Sequence, residues 1–114
     1  MRDWERDEIK VRQHEYGIKH LTPEDVATDS STVTSWLKGC GASHVVVHFD
    51  MDVLDPTDII AAVGVVPNGM KMDEVVRIIN DIANEKELVG LTVAEPMPRI
   101  AIRLKNMLSQ LPRL

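Results

Sequence analysis

The acidic run around Asp50-Met51-Asp52 is the part of this chain whose residue types and spacing best suit chemistry. Side chains alternate along extended backbone, so Asp50 and Asp52 are expected to point the same way, with Met51 opposite. Two carboxylates held side by side repel each other unless a cation neutralises them. Hard oxygen donors suit Mn, Mg or Ca, and Mn also tolerates mixed carboxylate and imidazole shells. His48 falls on the same face, one alternation back. Asp55-Pro56 follows at once: Asp55 is placed to hydrogen-bond the loop backbone, and Pro56 fixes its direction. Glu95 closes a second apolar run farther on. Acids also gather at strand ends because loops are polar, so spacing alone leaves a functional pair and an ordinary loop both open. The apolar run before Asp50 and the Asp-Pro after it favour the functional pair.

The elements that must position these acids can be read from periodicity. His44 to Phe49 is a β-branched run that reads as a buried parallel strand, apolar on both faces. Met72, Val75, Val76, Ile79 and Ile82 recur at helical spacing and predict a helix over about 71–84. Leu88 to Ala94 reads as a second buried strand. Arg99 to Leu111 reads as a closing helix that buries Ile102, Leu104, Met107 and Leu108. Strand, helix, strand, helix is the order of a parallel α/β sheet. In such sheets ligands bind beyond the carboxyl ends of the strands, so Asp50, Asp52 and Glu95 are expected to converge on one edge.

The N-terminal third is less regular. Residues 1 to 16 read as a partial helix or irregular segment ended by Gly17, and Ile18 to Leu21 as a short strand. Thr22-Pro23-Glu24-Asp25 has the composition of a helix start. A short helix is expected over Thr32 to Lys38, with Val33, Trp36 and Leu37 on one face and Gly39-Cys40-Gly41 as the stop.

Bulk properties narrow the function classes. A chain of 114 residues fits one domain. Its apolar share of 44% and charged share of 27% exclude disorder along the whole length. A net charge of -5 argues against nucleic acid, where a basic face supplies much of the affinity. No apolar run approaches a membrane span, and the N-terminus is too charged for a signal peptide, so a cytoplasmic location is expected. The one cysteine, Cys40, cannot form an internal disulfide and reads as a small packed residue. Most of the methionines, Trp4 and Trp36 also read as packing. Arg99, Arg103, Lys105 and Arg113 read as a solvated face of the last helix.

His48-Phe49-Asp50-Met51-Asp52-Val53-Leu54-Asp55-Pro56 resembles the signature of the ureohydrolases (arginase, agmatinase, formimidoylglutamase), Ser-x-Asp-x-Asp-x-x-Asp-Pro. Val89-Gly90-Leu91-Thr92-Val93-Ala94-Glu95-Pro96 resembles a late strand of that family, whose closing Glu meets the substrate guanidinium. The resemblance covers roughly residues 18 to 112. It implies an arginase-like, three-layer α/β fold with a parallel sheet and flanking helices, here incomplete: the whole chain, 1-114, is one C-terminal segment of such a domain. It implies Asp50 and Asp52 as metal ligands, Glu95 as the substrate-binding acid and Asp55 as a brace for the loop. In that family two Mn2+ ions share a hydroxide that attacks the guanidino carbon. A small guanidino-type substrate and a homo-oligomer are the implied partners, with no nucleic acid and no membrane.

The chain departs from the family pattern in three places. His48 stands where the signature has Ser, and is read as a buried, satisfied histidine in preference to an added hydrogen-bonding group. The Gly-rich loop after Asp-Pro is replaced by Thr57 to Gly69, which leaves the substrate open. The family's earlier His and its Asp-Ala-His-x-Asp motif are absent, and His14, His20 and His44 read as surface or packing residues. Two octahedral Mn2+ ions call for about six protein ligands, and this chain supplies two. It is therefore expected to be a segment of a longer enzyme, without activity by itself and with weak metal binding. Two other readings compete. One is a folded remnant serving assembly, because sheet edges left open invite self-association. The other is a Mg-dependent phosphatase of the haloacid dehalogenase type, in which the first Asp of such a motif is the nucleophile. Against the second, no later Asp-Asp pair follows.

Overall fold

In a computed structural model, residues 7–58, 67–96 and 101–113 are described. Helix α1 spans Asp7–Glu15 and buries no residue. Gly17, at φ +64°, ends it. The amides of Gly17 and Ile18 turn back to the carbonyls of His14 and Gln13, at 3.0 and 2.9 Å, the pattern of a glycine-closed helix end. Ile18 to Leu21 do not form the expected strand, since they pair with no other segment.

Thr22 caps α2 (Pro23–Val26). Its amide donates to Asp25 Oδ2 at 2.8 Å, and the Asp25 amide donates to Thr22 Oγ1 at 3.3 Å. These bonds from Thr22 hold the exposed Asp25 carboxyl below its ordinary pKa. Helix α3 (Ser31–Gly39) follows, with Leu37 buried. Trp36 is 51% exposed, contrary to the expectation that it packs with Val33 and Leu37. Successive helical residues lie about 100° apart, and the face of α3 turned to the core is too narrow to include both Trp36 and Leu37.

Strand β1 (His44–Asp50) runs parallel to β2 (Glu87–Ala94), with α4 (Met72–Glu85) between them in sequence. A parallel pair needs such a crossover. The two strands form the sheet among the described residues. Register runs from His44 against Glu87 to Asp50 against Ala94, with one irregularity at Val45/Val46. There Val46 pairs with Gly90, and a Cβ on Gly90 would lie 3.3 Å from the Val46 methyl groups. Glycine permits that close approach.

One face of the sheet carries the core. Phe49, Met51, Leu54, Val75, Ile79, Met107 and Leu111 form a buried cluster. Val47, Leu88, Leu91 and Val93 add to it from the strands, and Met70 and Met72 from the segment leading into α4. The core role expected for most methionines holds for these, with Met51 and Met107 fully buried. The closing helix α5 (Ala101–Leu108) meets the core along a narrow stripe, Leu104 and Met107, continued by Leu111 beyond its end. Ile102 and Leu108 are exposed, contrary to expectation. Residue 102 lies on the opposite side of the helix from 104, and 108 on the flank of the stripe. The expected start of this helix at Arg99, like Met97 and Trp4, lies outside the described residues.

The opposite face is open. Val46 is 67% and Val89 53% exposed, and His44, His48, Glu87 and Thr92 share that exposure. The parallel α/β architecture is as expected, but the burial of β1 on both faces is not found. Helices α4 and α5 cover one side of the sheet, and a parallel sheet normally has both sides covered. No described helix is long and apolar enough to cross a membrane.

Arg77, on α4, ties the N-terminal helices to this body. Its guanidinium donates to the carbonyls of Ala27 at 3.0 Å, Thr28 at 3.4 Å and Val26, and to Ser30 Oγ at 3.4 Å. Carbonyls at the end of α2 lack helical partners, and a planar five-donor group can satisfy several at once.

Candidate functional site

The strand ends carry the acids, as the sequence implies, but the local geometry differs. Extended backbone stops at Asp50, and Met51–Val53 form one turn of 3-10 helix. The Leu54 amide donates to the Met51 carbonyl at 3.1 Å. The reason lies in burial: Met51 and Leu54 are both in the core, and a 3-10 turn stacks residues three apart on one side. Asp52 is therefore not the next outward residue of a strand, and strand alternation does not set its direction. Its amide folds back to donate to Asp50 Oδ1 at 2.9 Å. Asp50 thus caps the turn with Oδ1, and among the described residues no hydrogen bond occupies Oδ2. The spacing of Met51 and Leu54 was the sequence signal for this turn.

Parallel register puts Asp50 beside Ala94, so Glu95 leaves β2 next to the Asp50 turn, on a strand about 4.8 Å away. Glu95 is exposed and adopts φ +57°, in the left-handed region that side chains other than glycine seldom occupy. Non-glycine residues in that region gather at functional sites.

Asp55 braces the loop after β1. Its Oδ1 accepts the Thr57 amide at 2.8 Å and the Thr57 hydroxyl, and its Oδ2 accepts the Gly69 amide at 2.9 Å. Hydrogen bonds from the Thr57 side chain and amide, then from Gly69, lower its pKa from 3.8 to about 2. The same contact line continues in the backbone. The Asp55 amide donates to the Met70 carbonyl at 2.8 Å, and the Met70 amide to the Val53 carbonyl at 2.8 Å. Asp58 Oδ2 accepts the Met72 amide at 2.8 Å, tying the loop to the start of α4. Asn68, at φ +63°, and Gly69 shape the return; Asn-Gly is the signal in the sequence that marks this turn. Ile59 to Val66, within the loop that departs from the family pattern, lie outside the described residues.

His48 is exposed, not the buried histidine expected from the sequence. Its Nδ1 lies 2.7 Å from Thr92 Oγ1, directly across the strand pair. It sits on the open face, which is why burial fails. His44 shares that face, with its Nε2 3.2 Å from a Glu87 carboxylate oxygen. Cys40 is exposed, with its Sγ 3.1 Å from the Leu37 carbonyl. A groove of about 530 Å³ is lined by Lys19, Ser31, Thr32, Ser35 and Trp36. It shares no residue with the strand ends, and none of the residues that line it is an acid.

Among the described residues, no group of three or more His, Cys, Asp or Glu is placed to hold a metal ion. The types of donor at Asp50 and Asp52 fit a hard cation, but their number falls short of a two-metal shell.

Residues 1–108 match the sequence model of the Arginase family. The chain belongs to the arginase family. Solved members share its fold. Arginase from Entamoeba histolytica is 23% identical, with a TM-score of 0.74 over 92% of this chain and 38% of its own. Formimidoylglutamase from Bacillus subtilis is 18% identical, with a TM-score of 0.74 over 84% of this chain and 31% of its own. Arginase from Helicobacter pylori is 13% identical, with a TM-score of 0.76 over 92% of this chain and 38% of its own. This chain therefore spans between 31% and 38% of the length of these arginase-family structures. No curated protein matches it significantly.

Proposed function

We propose that this chain is the C-terminal, ligand-bearing segment of a Mn2+-dependent hydrolase that cleaves a C–N bond of a small guanidino or related amidine compound. The observation that carries the reading is the shared strand edge: the Asp50 turn and Glu95 leave adjacent parallel strands at the same end. Family membership supplies the context. Asp50 and Asp52 would hold the metal, and bound Mn2+ would supply the Lewis acidity that makes water a nucleophile at neutral pH. Glu95 would meet the cationic end of the substrate, where a charge-assisted pair with a guanidinium orients the reacting carbon. Asp55 would keep the loop wall in place, through its bonds to Thr57 and Gly69. His48 has no part in this reading.

Two carboxylates do not complete a two-metal site, so the isolated 114 residues are expected to bind Mn2+ weakly and to release no urea. Calorimetric titration with Mn2+ tests the ligand assignment, using Asp50→Ala and Asp52→Ala as controls. Heat present in the parent chain and lost in both variants supports it; equal heats in all three refute it. Mn2+-dependent urea release from the isolated chain would overturn the inactivity.

A second reading, self-association, rests on the exposed Val46 and Val89 on the open sheet face. Sedimentation that shows a monomer at every concentration would remove it, and with it the expected homo-oligomer. Membership of the arginase family leaves the phosphatase alternative with no supporting observation. A cytoplasmic location also stays a proposal.

A further inference from the structure

Among the described residues, His48 lies close to the strand ends and takes no part in the proposed Mn2+ binding. We propose that His48 and Asp50 form a two-residue chelate for a borderline divalent cation such as Zn2+ or Co2+, on the open face of the sheet. The donors are Nε2 of His48 and Oδ2 of Asp50.

Strand geometry comes first. Residues 48 and 50 both lie within β1, so their side chains leave the same face, with Cα atoms about 6.6 Å apart. A cation bound at about 2.1 Å from a nitrogen and an oxygen fits between side chains so spaced. His48 is exposed and Asp50 half-buried, so a hydrated ion can reach both.

The second argument is orientation. Imidazoles that bind metals usually engage their other ring nitrogen with an oxygen, which fixes the ring and its tautomer. His48 has this arrangement: Nδ1 lies 2.7 Å from Thr92 Oγ1, on the paired strand. In the tautomer in which Nδ1 donates to the Thr92 hydroxyl, Nε2 carries the lone pair that a cation would take. On Asp50 the Asp52 amide occupies Oδ1, which leaves Oδ2. His44 provides the contrast on the same strand. Its Nδ1 is 2.7 Å from Ser43 Oγ and its Nε2 3.2 Å from Glu87, so both of its nitrogens are engaged.

The third argument is selectivity. Replacing one oxygen donor by imidazole moves preference away from Mn2+ and towards Co2+ and Zn2+. His48 replaces the Ser of the ureohydrolase signature, so the nitrogen is a property of this chain. No third protein ligand joins the pair among the described residues, and water would complete the shell. The site shares Asp50 with the proposed Mn2+ ligands but requires neither Asp52 nor a second metal.

The test uses the full chain and ZnCl2 alone, followed by the 15N shifts of the histidine ring nitrogens. The expected result is a shift of the His48 Nε2 resonance, with His44 unchanged. His48→Ser and Asp50→Asn should each weaken Zn2+ binding about ten-fold or more, and Thr92→Val about ten-fold, through loss of the orienting bond. Because residue 48 is exposed, an unchanged circular dichroism spectrum should accompany the variant, and Asp50→Asn gives an independent check. A Zn2+ response at another histidine, or parent-like affinity in His48→Ser, overturns the proposal. Failure of the Mn2+ reading is seen separately, as equal Mn2+ heats in Asp50→Ala, Asp52→Ala and the parent.

Discussion

The Gly69 amide donates to Asp55 Oδ2 at 2.9 Å, joining residues fourteen apart. With Thr57 on the other carboxylate oxygen, this bond closes the loop that follows the acid-bearing strand. The closure is independent of any ligand, so it can be tested on the chain alone.

Its pH dependence has a definite sign. The folded-state pKa of Asp55 is about 2 against an ordinary 3.8. A depressed pKa means that the ionised form is favoured in the folded state, so the contribution is present above 3.8 and lost as pH falls towards 2. Asp55→Asn should have a lower urea midpoint than the parent at pH 5, and the difference should shrink by pH 3. A difference independent of pH would show that the carboxylate charge is not what closes the loop.

Arg77 should matter through its donors rather than its net charge. Arg77→Ala leaves the carbonyls of Val26 and Ala27 without their partner, at a cost of about 2 kcal/mol. Arg77→Lys should recover less than half of that, since one ammonium cannot span the same acceptors. Denaturant unfolding of the three proteins decides; full recovery with Lys would point to charge alone.

Met51 and Met107 are fully buried in one cluster. Truncation of either to Ala should cost about 3 kcal/mol. Met51→Ala should also loosen the Asp50 turn, because the burial of Met51 sets the turn. Amide hydrogen exchange at Asp52 and Leu54 would then rise more in Met51→Ala than in Met107→Ala, and equal rises would refute this coupling.

Glu95 occupies left-handed backbone at the end of β2. Glu95→Gly removes the steric penalty and should stabilise the chain by about 1 kcal/mol, although glycine's greater freedom when unfolded offsets part of this. Glu95→Gln keeps the penalty and should leave thermal stability unchanged. If the glycine variant melts below both, the conformation is not strained.

Much of the fold was legible in the sequence because its main elements are regular. The helical spacing of Met72 to Ile82 and the apolar runs at 44–49 and 88–94 each follow from one repeating period, and the structure has α4, β1 and β2 there. Thr22-Pro23 marked the start of α2, and Gly17 the end of α1, because caps are local chemistry. The motif around Asp50 named the family through residue identity alone, and the family match agrees. Its acids and Asp55 were singled out for the same reason.

Tertiary structure decided what depends on neighbours distant in sequence. The turn at Met51 arises because Met51 and Leu54 share a core with Val75 and Met107. The Thr92 hydroxyl reaches His48 only because the strands pair in this register. Whether Ile102, Trp36 and His48 are buried could not be read from their types, since burial depends on which face meets another element. The apolar run of β1 looked like a strand covered on both sides, yet Val46 is exposed on the face opposite the one that α4 and α5 cover. Local sequence determined the elements and their chemistry here, while long-range packing determined which of their faces were covered.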